Sequence, residues 1–254
     1  MTLQLDHAVI AVADLDAAVQ DYRALGFTVV RGGVHANRAT HNALITFADE
    51  TYLELLAATG EPPIPGAIDF GVLLRHGEGL AGYALRTDDL DAERARLRAG
   101  GVAVGEAIPG ERRRADGTVI RWKLALLDGG FAPFLIEDVT PREGRIARDP
   151  AVTAHANGAR GLRGIEIAVR EMDPAAERYA QLFGAPPGSA AGSGRAIGCV
   201  TLREMPNETA PQSTEALVAL QLVVERAQEG RFSPTRAHGV RFRQMAAPGD
   251  PHAR

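Results

Sequence analysis

One stretch recurs three times along this chain, and no other feature limits the possible folds as much. Shifted by 75 positions without a gap, HAVIAVADLDAAVQDYRALGFTVV (His7 to Val30) lies over GYALRTDDLDAERARLRAGGVAVG (Gly82 to Gly105). Asp14-Leu15-Asp16 then meets Asp89-Leu90-Asp91, Gly26 meets Gly101 and Val29 meets Val104. A shift of 157 brings the same stretch over GIEIAVREMDPAAERYAQLFGAPP, which starts at Gly164, and pairs Val12 with Val169, Asp16 with Asp173, Tyr22 with Tyr179 and Leu25 with Leu182. A fixed internal period means one supersecondary unit, copied and stacked.

Each copy reads the same way. A short apolar strand comes first, and an acidic residue follows where a helix begins, capping free amides at the positive end of the dipole. Pro174, directly after Asp173, suits a first helical position. Leu15, Val19, Tyr22 and Leu25 fall at helical spacing, and Gly26 and Gly100-Gly101 suit left-handed caps. Extended segments follow: HNALITFAD and TYLELLA, then VIRWKLALL and APFLIED, then GRAIGCVTLRE and ALVALQLVVE. The expected fold class is α+β, with βαβββ modules at 4–59, 79–139 and 161–226. Modules one and two would form a domain over 1–150, and 151–230 a third, degenerate module. The Arg- and Pro-rich tail, 231–254, reads as irregular.

Bulk properties narrow the function classes. The 254 residues are 45% hydrophobic with a net charge of −4, which supports a sizeable core and leaves no electrostatic footprint for nucleic acid. ERRRADG (Glu111 to Gly117) reads as a solvated loop rather than a phosphate patch. The single cysteine, Cys199, cannot form an intrachain disulfide and reads as a small buried hydrophobe in a reducing compartment. With no signal-peptide pattern and no apolar run near the roughly 20 residues that span a bilayer, the expected location is cytoplasmic, away from membranes. GSAAGSGRAIG lacks the strand-to-helix context of a dinucleotide loop and reads as a hairpin, so no organic cofactor is expected.

A chain of βαβββ units opening on LDHAVIAVADLDAAVQDYRALGF, with THNALITFADETYLELLA, IRWKLALL and PFLIED following in order, resembles the vicinal oxygen chelate superfamily. More narrowly it resembles the glyoxalase-like group of glyoxalases, bleomycin-resistance proteins and extradiol dioxygenases. The resemblance covers about the first 140 residues and only the opening of the third unit. It implies curved mixed sheets forming an open bowl, with divalent-metal ligands on the first and last strands of each module.

Carried over by position, the resemblance implies His7 and Glu54 as metal ligands in the first module. In the second, Gly82 lies under His7, and an eight-residue insertion at GERRRADG brings Glu137 under Glu54. In the third, Gly164 and Gln221 occupy these positions, with Glu166 and Glu225 nearby, so that module reads as structural or as a homodimer contact. The implied ligands are His7, Glu54 and Glu137, holding Zn, Mn, Fe or Ni, with Glu137 or else Glu54 doubling as a catalytic base. His7 also has a plain alternative, a core histidine with a satisfied ring. Glycine at the same place in both other copies shows that the strand does not require histidine to fold.

His41 and Asn42 look like pocket residues in this group, or else a cross-strand polar pair. Trp122 and Arg121 are further candidate substrate-binding residues: they alternate, so Trp122 walls a pocket while Arg121 faces solvent, or the reverse, and Trp122 as plain core is the alternative. Tyr52, Phe131 and Phe134 are further candidate pocket walls. His35 reads as a loop residue, and His155, His238 and His252 as unrelated. Two functions follow for a small-molecule ligand. One is a metal-dependent lyase, isomerase or dioxygenase acting on a substrate that chelates through oxygens. The other is a metal-free protein that sequesters a small hydrophobic or aromatic molecule.

Overall fold

A computed structural model of the chain describes residues 3–65, 69–114, 117–127, 133–184, 190–191, 194–205, 214–228 and 230–247. Module one runs β1 (Gln4–Ala11), α1 (Leu15–Ala24), β2 (Val30–Val34), β3 (Thr40–Thr46) and β4 (Tyr52–Ala58). After a 3-10 turn at Phe70–Leu74, module two repeats it as β5 (Gly79–Arg86), α2 (Leu90–Ala99), β6 (Ile108–Arg113), β7 (Val119–Leu126) and β8 (Phe134–Asp138). Two of the expected caps are present: Asp14 accepts hydrogen bonds from the Asp16 and Ala17 amides, and Asp89 from Ala92. In the third module the helix starts earlier than expected, at Met172, so Asp173 and Pro174 lie inside its first turn and the N-cap, Glu171, makes no side-chain capping bond. Gly26 and Gly101 take the left-handed φ of 86° and 82° that a side chain would resist.

Both modules share one eight-stranded sheet in the order β2-β3-β4-β1-β5-β8-β7-β6. First and last strands are parallel within each module, and β1 meets β5 antiparallel. The pairs His7↔Ala84 and Val9↔Gly82 exchange under the 75-residue shift, so a pseudo-twofold axis runs between β1 and β5. The edges curl toward each other: a Cβ on Gly33 of β2 would lie 3.9 Å from the Arg113 carbonyl of β6.

Two short helices, α3 (Arg142–Arg145) and α4 (Pro150–Thr153), lead to β9 (Ala159–Val169) and α5 (Met172–Phe183). The remaining strands are β10 (Ala190–Ala191), β11 (Gly194–Ile197), β12 (Val200–Glu204), β13 (Glu215–Val224) and β14 (Phe242–Ala246). They form a second sheet, β10-β11-β12-β9-β13-β14. Here the strand assignment differs from the sequence reading. The strand parallel to β9, which closes the third module, is β12 and not ALVALQLVVE. That segment is β13, which meets β9 antiparallel as β5 meets β1. It pairs in parallel with β14, which lies inside the tail expected to be irregular. β13 and β14 therefore repeat the first and last strands of a shortened fourth unit. Gln221 belongs to its first strand, and the residue facing Glu166 on β12, where Glu54 faces Val9 in module one, is Thr201.

Inward faces of both sheets and the apolar sides of α1, α2 and α5 make one core, including Tyr22, Leu53, Leu55, Leu97, Leu135, Tyr179 and Leu222. Cys199 packs against it, and burial pushes its thiol up to about 12, as expected of an inert hydrophobe. No helix among the described residues is long and apolar enough to cross a membrane.

Candidate functional site

Alternation along the strands puts one face of the first sheet on the core and the other on the inside of the bowl. His7 comes from β1, Asn42 and Leu44 from β3, and Tyr52 and Glu54 from β4. Trp122 and Leu124 come from β7, Phe134 and Ile136 from β8, and Arg112 from β6. With His35, Phe70 and Arg145 they line one pocket. A second recess shares His35, Phe70 and Trp122 with it.

Pairing slips by one residue between Leu5↔Leu85 and His7↔Ala84, so Asp6 occupies a bulge. A bulge re-aims side chains, which lets sequence neighbours act on the same site. The Asp6 Oδ1 lies 2.7 Å from His7 Nδ1. Asp6 is fully buried and accepts hydrogen bonds from Arg142 and twice from Arg145. Arg145 also donates to both Asp138 oxygens and to the Tyr52 hydroxyl. Burial alone would raise the Asp6 carboxyl, but the Arg145 charge and the hydrogen bonds from His7 and Arg145 hold it well below the usual carboxylate range.

On its other side, His7 Nε2 stands 3.5 Å from Glu54 Oε2, and His35 Nε2 stands 3.5 Å from Glu54 Oε1. The Asn42 amide donates to Glu54 Oε1 at 2.7 Å. Burial pushes the Glu54 carboxyl up, but the hydrogen bond and charge of His35, the charge of His7 and the Asn42 amide bring it down to about 2. The Tyr52 ring stacks on His7 at 4.4 Å, and Phe134 meets His7 edge-on at 5.4 Å.

The expected residues are thus only partly assembled. His7, Glu54, Asn42, Trp122, Tyr52 and Phe134 meet in the pocket. Glu137 does not join them. It alternates away from Phe134 and Ile136 to the helix side, where its Oε2 accepts from the Leu90 amide at 2.8 Å and its Oε1 lies 3.5 Å from Lys123 Nζ. The β5–β8 register explains the displacement. Ala84, the counterpart of Val9, pairs with Phe134, so Phe134 and not Glu137 takes the place of Glu54. His41 also points away from Asn42, into a setting where burial and the Arg31 charge lower its imidazole. Arg121 is exposed opposite Trp122 and pairs with Glu111 at 3.3 Å. His155 is buried and binds the Thr28 amide and Thr46 carbonyl, a structural role. His238 pairs with Glu78 and Asp21. Phe131 and His252 lie outside the described residues.

Two pocket residues escaped the sequence reading. His35 is buried, with its Nδ1 2.8 Å from the Thr40 hydroxyl. Arg112 belongs to β6 rather than to a solvated loop, and it is buried. The available signal was the two-residue alternation Ile108, Gly110, Arg112. Gly110 matters for packing, because a Cβ there would lie 2.3 Å from Trp122 Nε1. Gly110→Ala is therefore expected to cost roughly 1–3 kcal/mol through overpacking. It should also shift the emission of Trp122, the only tryptophan; an unchanged spectrum and denaturation midpoint would contradict this packing.

The donor set does not fit a chelated metal as it stands. One imidazole approaches each Glu54 oxygen, and the positions related to His7 and Glu54 by the pseudo-twofold axis are Gly82 and Phe134. Among the described residues, no group of three or more His, Cys, Asp or Glu side chains is arranged to hold a metal ion.

Comparisons with known proteins agree with the fold. A family model described as a glyoxalase-like domain matches residues 5–183. The chain belongs to that family. The glyoxalase-like fold implied by the resemblance is the fold it has. A hypothetical protein from Staphylococcus aureus is similar over 96% of this chain and 100% of its own, with a TM-score of 0.74 and 15% identity. A 4-hydroxymandelate synthase variant from Streptomyces coelicolor is similar over 88% of this chain and 71% of its own, with a TM-score of 0.55 and 19% identity. At these identities the likeness is one of fold alone. A methylmalonyl-CoA epimerase variant from Streptomyces coelicolor shares 28% identity over 55% of this chain and 100% of its own, with a TM-score of 0.40. No curated protein matches the sequence.

Proposed function

We propose that this glyoxalase-like chain binds a small, mainly apolar or aromatic molecule in its first bowl and holds it without a metal ion. The observation that carries this reading is the one-sided construction of the site. Polar groups come from the first module, Arg112 and Arg145, while Trp122, Leu124, Phe134 and Ile136 make the facing wall apolar. Such a wall with a few convergent polar groups is the usual make-up of a small-molecule pocket.

A second reading is favoured by the Asp6–His7 pair. Asp6 engages Nδ1 and leaves Nε2 directed at the pocket and Glu54, an arrangement able to move a proton on a bound molecule. Metal analysis of untagged protein, joined to thermal unfolding, tests the main reading. Expected are no stoichiometric metal, no stabilisation by Mn, Fe, Ni or Zn, and a rise in midpoint with benzyl alcohol. One bound metal per chain that disappears in both His7→Ala and Glu54→Gln would overturn it.

A further inference from the structure

Arg112 stands apart from the other buried arginines. Among the described residues three arginines are buried: Arg94, Arg112 and Arg145. Arg94 binds Asp91, Glu106 and the Gly105 carbonyl. Arg145 binds Asp6, Asp138 and Tyr52. Arg112 is 6% exposed, lines the pocket, and has no hydrogen bond or ion pair with any described residue. A buried charge without a hydrogen-bonded partner is costly, and burial, only partly offset by the Glu54 charge, lowers the proton affinity of this guanidinium.

The space beside it is kept open. A Cβ on Gly32 would lie 2.6 Å from Arg112 Nη1 and 1.9 Å from Asn42 Oδ1. That Asn42 oxygen is itself buried without a partner, because its amide nitrogen is committed to Glu54. The amide orientation is chemically determined, since only the NH₂ end can donate to a carboxylate. The pocket therefore offers a cationic fork and a free acceptor beside the aromatic wall of Trp122 and Phe134.

We propose that Arg112 makes the first bowl a site for a monocarboxylate with an apolar or aromatic body, on which Asn42 Oδ1 accepts from a hydroxyl or amine. The proposal rests on the reading of that bowl as a small-molecule site. The planar guanidinium matches a carboxylate with two parallel hydrogen bonds. A dianion fits less well, because Glu54 already places one negative charge in the same pocket.

The test uses the full chain, Trp122 fluorescence and thermal unfolding, with benzoate, salicylate, phenyl phosphate and benzyl alcohol as probes. Expected are binding of benzoate and salicylate in preference to phenyl phosphate, and a roughly 10- to 100-fold loss of carboxylate affinity in Arg112→Met with benzyl alcohol unaffected. Arg112→Lys should retain the preference for benzoate over benzyl alcohol but bind it more weakly. Without ligand, Arg112→Met should unfold no earlier than the wild type, since it removes a buried charge that has no hydrogen bond or ion pair among the described residues. Earlier unfolding of the ligand-free variant, or equal benzoate affinity in variant and wild type, overturns the proposal. Binding of benzyl alcohol with no preference for benzoate overturns it while the bowl reading stands, and binding of none of the four compounds overturns both.

Discussion

Replacing Asp6 by alanine is expected to lower folding stability by about 3–5 kcal/mol, the usual consequence of removing one partner from a buried ion pair. Asp6 is fully buried, and its carboxylate faces His7, Arg142 and Arg145. Without it, Arg145 keeps Asp138 and Tyr52, but two cations remain beside His7 with one carboxylate fewer. The loss should appear as a lower urea midpoint at an unchanged slope. Arg145→Met tests the same network from its other end, since it strands Asp6 and Asp138. The two losses should not add, because each variant breaks the same contacts. A change below about 1 kcal/mol in Asp6→Ala, within the range of exposed pairs, would sink this account of the bowl's floor.

Glu54 should dominate the acid limb of stability. Its folded carboxyl lies at about 2 against an ordinary 4.5, so the unfolded chain takes up the proton first as the pH falls. The contribution is fully present above the unfolded value and is lost as the pH drops from about 4.5 toward 2. At roughly 1.4 kcal/mol per unit, the shift corresponds to about 3 kcal/mol. Asp6 contributes with the same sign, so the useful quantity is the difference between the wild type and Glu54→Gln. That difference should be largest at neutral pH and shrink steadily toward pH 3. A difference that stays constant over this range would show that folding does not lower the Glu54 carboxyl.

The repeat carried most of the fold, because strand, cap, helix and glycine recur at one spacing and any copy that folds alike must pack alike. It failed where length between elements varies. The eight-residue allowance that put Glu137 under Glu54 ended three residues beyond the true counterpart, Phe134, and an odd error turns a strand residue to the opposite face. The same alternation separated His41 from Asn42. Arg112 and His35 were missed for another reason. Charge-rich and loop-like segments read as solvated, yet curling of the sheet brings both into the pocket. The fourth unit went unseen because only its first and last strands persist, and their pairing is long-range.

The sequence by itself determined the module, its three clear copies, the helix caps of the first two and the alternating strands, because these depend on residues close together along the chain. It also marked His7 as dispensable to the strand and Glu54 as an acid among leucines. Tertiary structure alone decided what those two residues face. Register across the pseudo-twofold axis set glycine and phenylalanine opposite them, a bulge turned Asp6 onto His7, and sheet curvature delivered a buried arginine, Arg112. Each of these depends on how distant strands align, and a shift of one residue reverses it.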